Sequence, residues 1–268
     1  MKKKSPKIGL ALGGGGARGL AHLGVIQRLN ELGIPIHCVA GTSIGAIIGS
    51  IFAAGTLDRA FEWCGEPDWK KLPKILFESR PSAKALVKGD GVAKLLADLI
   101  PAQRFDALSL PYAAVATDLH TGEEVVMREG DLVSAILASM AIPGVFRPVE
   151  RNGHVLVDGG LVNPLPIAAC RALGADRVIA VDINPPDKHP PKPFKKMTMA
   201  DVLVDTFRIF NVEMTRHALA DDPPDLLITP DVGDVMMLDF RNAQEVIERG
   251  RQAIDPQAVL ALSKQETP

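Results

Sequence analysis

From Ile34 to Leu57 the chain carries no lysine, arginine, aspartate or glutamate, and within that stretch "VAGTSIGAIIG" (Val39 to Gly49) repeats glycine every fourth residue. Two structures compete for it. An apolar run of this length, with Gly41, Gly45 and Gly49 on GxxxG spacing, suits a membrane helix packed through its small residues. The alternative is a buried strand, a sharp turn and a buried helix. "IPIHCVAGTS" favours the second, because its β-branched residues are interrupted by Pro35 and Gly41. Only Ile44 to Ala54 then remains for a helix, too short to cross a bilayer.

The neighbouring sequence repeats this alternation. "KIGLAL" predicts a strand, "ARGLAHLGVIQRLNELG" a helix closed by Gly33, and "IHCVA" a second strand. Such an opening predicts a parallel sheet with helices on both faces. From Leu57 to about Pro111 the chain is more charged and irregular, with short helices expected to cover the sheet edge or the mouth of a site. "YAAVATDL" and "EEVVMRE" predict strands, "DLVSAILASMA" a helix, and "RPVERNGHVLVDGG" a hairpin turning at Asn152-Gly153. "PLPIAACRALG" and "RVIAVDI" add a helix and a strand. The prolines of "NPPDKHPPKPFKK" exclude regular structure. Beyond them Leu203, Phe207, Phe210 and Met214 share one helical face, expected to point into the core, with a lipid-touching lid as the alternative. "AQEVIERGRQAI" closes the pattern as a further helix. At 268 residues, 47% of them hydrophobic, the chain is expected to form one α/β domain.

Charge and cysteines narrow the partners and the compartment. Thirty basic residues against 32 acidic ones leave a formal charge of -2, which excludes the basic excess expected of a nucleic-acid binder. Cys38, Cys64 and Cys170 lie far apart in apolar surroundings without metal-ligand spacing, so reduced thiols and a cytoplasmic setting are expected. "MKKKSPKIGLAL" is not read as an export signal, because its short apolar run meets four glycines and Arg18 instead of a cleavage site.

"LALGGGGARGLAHLG" satisfies GxGxxG at Gly14, Gly16 and Gly19 between a strand and a helix, the context of a dinucleotide-binding loop. That reading also needs a carboxylate at the end of the second strand to hold a ribose. "CVAGTS" offers none. A glycine loop ahead of a helix can equally stabilise an anion that exists only in a transition state.

Gly41-Thr42-Ser43-Ile44-Gly45 is a GxSxG placed where strand passes to helix, the turn that lifts a serine hydroxyl above a sheet. A serine needs a base to become a nucleophile. His120, His154, His189 and His217 follow it without a distinctive setting, and His22 and His37 precede it, so a histidine triad is not expected. Asp158 is the more pointed candidate. It ends an apolar strand in "VLVDGGLVNPLP", where burial would raise its pKa and improve it as a base; the plainer alternative is a turn aspartate capping a backbone.

With "GGGGARG" (Gly13 to Gly19), "GTSIG" (Gly41 to Gly45) and "DGG" (Asp158 to Gly160) in that order, the chain resembles the patatin-like phospholipase family, especially its small bacterial members. "ASMAIPGVFRPV" also looks like the family's sequence, and the resemblance runs from about Lys7 to Ile254. It implies a three-layer α/β/α fold with a mostly parallel central sheet and a Ser-Asp dyad, Ser43 as nucleophile and Asp158 as base. It further implies an oxyanion hole from the amides of Gly14, Gly15, Gly16 and Ala17, with the extra glycine, Gly13, leaving open which of them point inward. Arg18 and Gly19 would position that loop, Gly41 and Gly45 would shape the turn at the serine, and Gly159 and Gly160 would set the aspartate. The implied function is hydrolysis of lipid acyl esters without a metal or organic cofactor. The alternatives are a catalytically silent lipid-binding or regulatory module on the same scaffold and a nucleotide-binding oxidoreductase. A lipid substrate would be compatible with transient contact to a membrane surface, through Lys2 to Lys4 or the helix after the proline-rich loop. Nothing in the pattern specifies an oligomeric state.

Overall fold

A computed structural model describes residues 5–65, 89–184, 188 and 197–264. The proposed terminal lysine contact, His189 and most of the proline-rich loop lie outside the described residues. A central eight-stranded sheet has the order β5-β6-β3-β2-β1-β7-β8, with β4 also paired to β3. These strands are β1 (Ile8–Leu12), β2 (Ile36–Thr42), β3 (Tyr112–Asp118), β4 (Glu124–Met127), β5 (Val149–Arg151), β6 (His154–Asp158), β7 (Arg177–Val181) and β8 (Leu226–Ile228). The run β3-β2-β1-β7-β8 is parallel, whereas β4, β5 and β6 pair antiparallel at one side.

Helices cover both faces. Among the described residues they are, in chain order, α1 (Ala21–Glu31), α2 (Ile44–Ala53), α3 (Leu57–Gly65), α4 (Asp90–Leu99), α5 (Leu132–Ser139), α6 (Ile167–Ala172), α7 (Met199–Asp221), α8 (Ala243–Gln252) and α9 (Pro256–Lys264). Successive strand residues face opposite layers, so Leu10 and Leu12 join Leu23, Ile48, Ile136 and Val246 in the larger apolar cluster. Ala11, Ala40 and Ala113 face the other way, with Ile167 and Cys170 of α6. Both faces of these strands are buried, which explains why β1, and β3 from Tyr112 to Ala116, read as apolar runs without alternation.

The stretch between Ile34 and Leu57 is a strand, a turn and a ten-residue helix. Among the described residues no helix is long and apolar enough to cross a membrane. The hairpin between β5 and β6 turns through Asn152 at φ 50° and Gly153 at φ 84°, as that dipeptide predicts. The apolar face expected to point into the core from α7 does not coincide with its buried face. On α7, Phe207 is buried, but Leu203 and Phe210 are 41% and 50% exposed. The side turned inward is polar in part, carrying Phe207, Asn211 and Thr215, while Met199, Val202 and Ile209 share the outward side with Leu203 and Phe210. Counting apolar residues alone therefore misplaces the buried face.

Candidate active site

The sheet order gathers four chain segments at one place. β1 ends beside β2, with Leu12 opposite Gly41, and beside β7, with Leu12 opposite Val181. Ser43 follows β2 directly. On the far side of β2, Thr42 pairs with Val115 of β3, and antiparallel β6 places Asp158 opposite Ala116. Gly159 then crosses beside Val115, in the middle of β3. A Cβ there would lie 2.4 Å from the Val115 carbonyl oxygen and 3.1 Å from Thr42 Cγ2, so only glycine allows the crossing.

These registers bring the hydroxyl and the carboxylate into contact. Ser43 Oγ donates to Asp158 Oδ2 at 2.7 Å. The Gly160 amide donates to the other carboxylate oxygen, Oδ1, at 2.8 Å, so the capping alternative and the serine contact coexist on one side chain. Asp158 is fully buried, and its pKa is pushed up to about 7 by that burial, which outweighs the stabilising bonds from Ser43 and Gly160. Ser43 sits at φ 57°, ψ -123°, a strained backbone at the N-terminus of α2. The strain is held on both sides. The Ser43 amide donates to Ser139 Oγ at 3.0 Å, and Ser139 Oγ donates to the Val115 carbonyl at 2.6 Å. Gly41 and Gly45 lie back to back inside this turn, a Cβ on Gly41 falling 2.2 Å from the Gly45 carbonyl oxygen.

The glycine loop lies against the serine: a Cβ on Gly14 would be 3.3 Å from that of Ser43. Two of the four amides expected to donate from this loop are already engaged. Gly14 N–H donates to the Pro164 carbonyl at 2.9 Å and Ala17 N–H to the Met237 carbonyl at 2.7 Å, which corrects their assignment as free donors. The amides of Gly15 and Gly16 have no hydrogen-bond partner among the described residues. Arg18 is buried and donates through Nε to the Val235 carbonyl at 2.7 Å, tying the loop to the segment before α8. Gly19 packs against Ile44 at the start of α2.

Three further side chains support this arrangement without a sequence motif to announce them. His22 is fully buried, its Nε2 is 2.8 Å from the Gly13 carbonyl oxygen, and desolvation lowers its pKa to about 4. The ring is therefore neutral near pH 7, with Nε2 carrying the proton to reach that carbonyl. Asn184 Nδ2 donates to the Gly14 carbonyl at 2.8 Å. Asn211 lies against Gly160, its Oδ1 2.7 Å from where a Cβ would stand. No described histidine bonds Ser43; His154 instead pairs its Nδ1 with Asp118 Oδ2 at 2.5 Å.

Beside Ser43 opens a cavity lined almost wholly by apolar groups. Ile44, Ile47, Ile48 and Ile51 form one wall along α2. Ala60, Trp63 and Cys64 of α3 and Leu95 and Leu99 of α4 close it, with Met140, Ile142, Phe146, Leu238 and Phe240 completing the sides. The two described helices from the irregular region thus flank the site, as expected of segments near its mouth.

A family model described as "Patatin-like phospholipase" matches residues 10–171, a span that holds the glycine loop, the serine turn and the aspartate. The chain belongs to the patatin-like phospholipase family. An uncharacterized NTE family protein of Mycobacterium tuberculosis is 39% identical over 219 residues, covering 80% of this chain and 61% of that protein. The rat patatin-like phospholipase domain-containing protein 7 is 35% identical over 188 residues, 68% of this chain but 14% of the relative. The chain thus spans about three fifths of the mycobacterial relative and a small part of the mammalian one. Among solved structures, VipD from Legionella pneumophila superposes with a TM-score of 0.52 at 15% identity, over 97% of this chain and 67% of that one. That likeness of fold also takes in segments that follow residue 171.

Proposed function

We propose that the protein hydrolyses lipid acyl esters, with Ser43 as the nucleophile and Asp158 as its base. The observation that carries the proposal is the 2.7 Å bond from Ser43 Oγ to a buried carboxylate. Asp158 takes the hydroxyl proton as Oγ attacks the ester carbonyl carbon, and the Gly15 and Gly16 amides receive the developing oxyanion. As the intermediate collapses, the ester C–O bond breaks and protonated Asp158 returns its proton to the leaving alcohol. Water then gives a proton to Asp158 and attacks the acyl-enzyme, and the acid departs as Ser43 regains its hydrogen. An aspartate with a pKa of about 7 suits both directions of transfer near neutral pH.

The apolar cavity supports a fatty acyl chain as the group transferred. Ile51 lies about 12 Å along α2 from Ser43, at about 1.5 Å per residue. Ala60, on the helix that directly follows α2, lines the same cavity. Ala60→Phe is expected to shift preference toward shorter acyl chains while short-ester turnover persists. Each methylene denied burial, worth about 0.8 kcal/mol, should lower kcat/KM about four-fold. An unchanged chain-length profile across a nitrophenyl ester series would remove the cavity from substrate binding.

Labelling with a fluorophosphonate, followed by peptide mass spectrometry, tests the nucleophile. Modification is expected at Ser43 in the wild type and absent in Ser43→Ala, which should also fail to release fatty acid from a panel of phospholipids, lysolipids and neutral lipids. An unlabelled but folded wild type would point to the silent binding module.

A further inference from the structure

The 177–184 segment lies beyond the family match, and nothing in its sequence marks it as part of a site. Parallel pairing of β1 with β7 brings it there: Gly13 N–H donates to the Val181 carbonyl at 3.1 Å, and the chain then runs alongside the glycine loop. Asp182 Oδ1 accepts the Asn184 amide at 2.9 Å in a local turn that presents the Asn184 side chain to the loop. Asn184 is 6% exposed, and its Nδ2 donates to the Gly14 carbonyl at 2.8 Å. The reverse orientation of the carboxamide would set two oxygens against each other, so the donor identity is fixed by its partner.

That single bond determines the direction of a neighbouring donor. The Gly14–Gly15 peptide is planar and trans, so its C=O and N–H point in opposite directions. Holding the Gly14 oxygen toward Asn184 turns the Gly15 N–H the other way, and among the described residues nothing accepts it. Glycine on both sides leaves this peptide free to rotate unless something holds it, with Gly15 at φ 157°, ψ 22°. The preceding peptide shows the same device, because His22 takes the Gly13 oxygen and the Gly14 N–H points away to Pro164. There the amide is consumed; at Gly15 it is left open.

We propose that Asn184 is a positioning residue for ester hydrolysis, locking the Gly14–Gly15 peptide so that the Gly15 amide is available to the oxyanion. The inference rests on the Ser43 reading above. Loss of one such donor costs on the order of 100-fold or more in kcat.

Asn184→Ala and the similarly sized Asn184→Leu, whose side chain has no donor, are compared with wild type and Ser43→Ala on one soluble ester. Both variants should lose on the order of 100-fold in kcat with KM and the pH profile's acid limb unchanged, and should stay folded at the assay temperature although the Gly14 carbonyl has lost its partner. Asn184→Gln, which keeps a donor, should recover part of the rate. A kcat within two-fold of wild type in folded Asn184→Ala or Asn184→Leu overturns the inference, as does a rise in KM or a shifted acid limb that accounts for the lost rate, the mark of a general disturbance of the Ser43–Asp158 pair. If Ser43→Ala itself retains turnover, the proposed function fails first.

Discussion

Asp158→Asn is expected to lose about 10²- to 10⁴-fold in turnover, the contribution of a positioned general base, and to become more stable above pH 7. Burial raises the carboxyl pKa from 3.8 to about 7, so the folded state holds its proton where the unfolded chain has released it. The stability that goes with this raised value is fully present below about pH 4 and is lost as pH rises through about 7. At about 1.4 kcal/mol per pH unit the displacement corresponds to on the order of 4 kcal/mol of destabilisation at pH 8. A carboxamide keeps the shape, can donate to Ser43 Oγ and accept from Gly160, and carries no charge to desolvate. A gain of about 2 kcal/mol in urea unfolding at pH 8 is expected, since the amide still bears part of the burial cost. The gain should vanish near pH 4. In the wild type, kcat/KM should climb with pH and level off above about 7 as Asp158 ionises. A variant less stable than wild type at pH 8 would show that the buried carboxylate does not burden the fold, and a wild-type rate flat from pH 5 to 8 would show that Asp158 is not the base.

Much of this site is legible locally because its signals are local. Val39 to Gly49 contains a strand end, a turn and a helix start within one window, so Ser43 can be placed from periodicity and glycine alone. Asp158 is similar, since an apolar strand ending in Asp-Gly-Gly needs a reason to be there. What escapes is decided by partners remote in the chain. Gly14 and Ala17 look as available as Gly15 and Gly16 until Pro164 and Met237 arrive to accept their amides. The inward side of α7 is hidden because Asn211 and Thr215 are buried, and polar residues leave no mark on a hydrophobic pattern. His22, Ser139 and Asn184 belong to the same class. Each acts on backbone atoms that any sequence possesses, so no motif records the contact.

Gly45→Ala is expected to prevent accumulation of folded protein, a result that periodicity does not anticipate for a glycine in a helix, where alanine normally stabilises. The first turn of α2 rides directly on the end of β1. A Cβ at position 45 would stand 2.1 Å from the Leu12 carbonyl oxygen and 2.8 Å from that of Gly13. Neither oxygen can swing aside as a side chain would, because Leu12 is paired in the sheet on both flanks. The methyl must therefore lift α2 off the strand, opening the core and moving Ser43 away from Asp158. Overpacking in a tight core costs about 1–3 kcal/mol when side chains can adjust, and rigid backbone on one side puts this case above that range. Gly33→Ala provides the contrast. Gly33 is left-handed at φ 67° with open space around it, so its substitution should cost only about 1–2 kcal/mol and leave turnover intact. Denaturant unfolding of the two variants separates the causes, and a Gly45→Ala protein as stable as Gly33→Ala would mean that α2 and β1 are not in such close register.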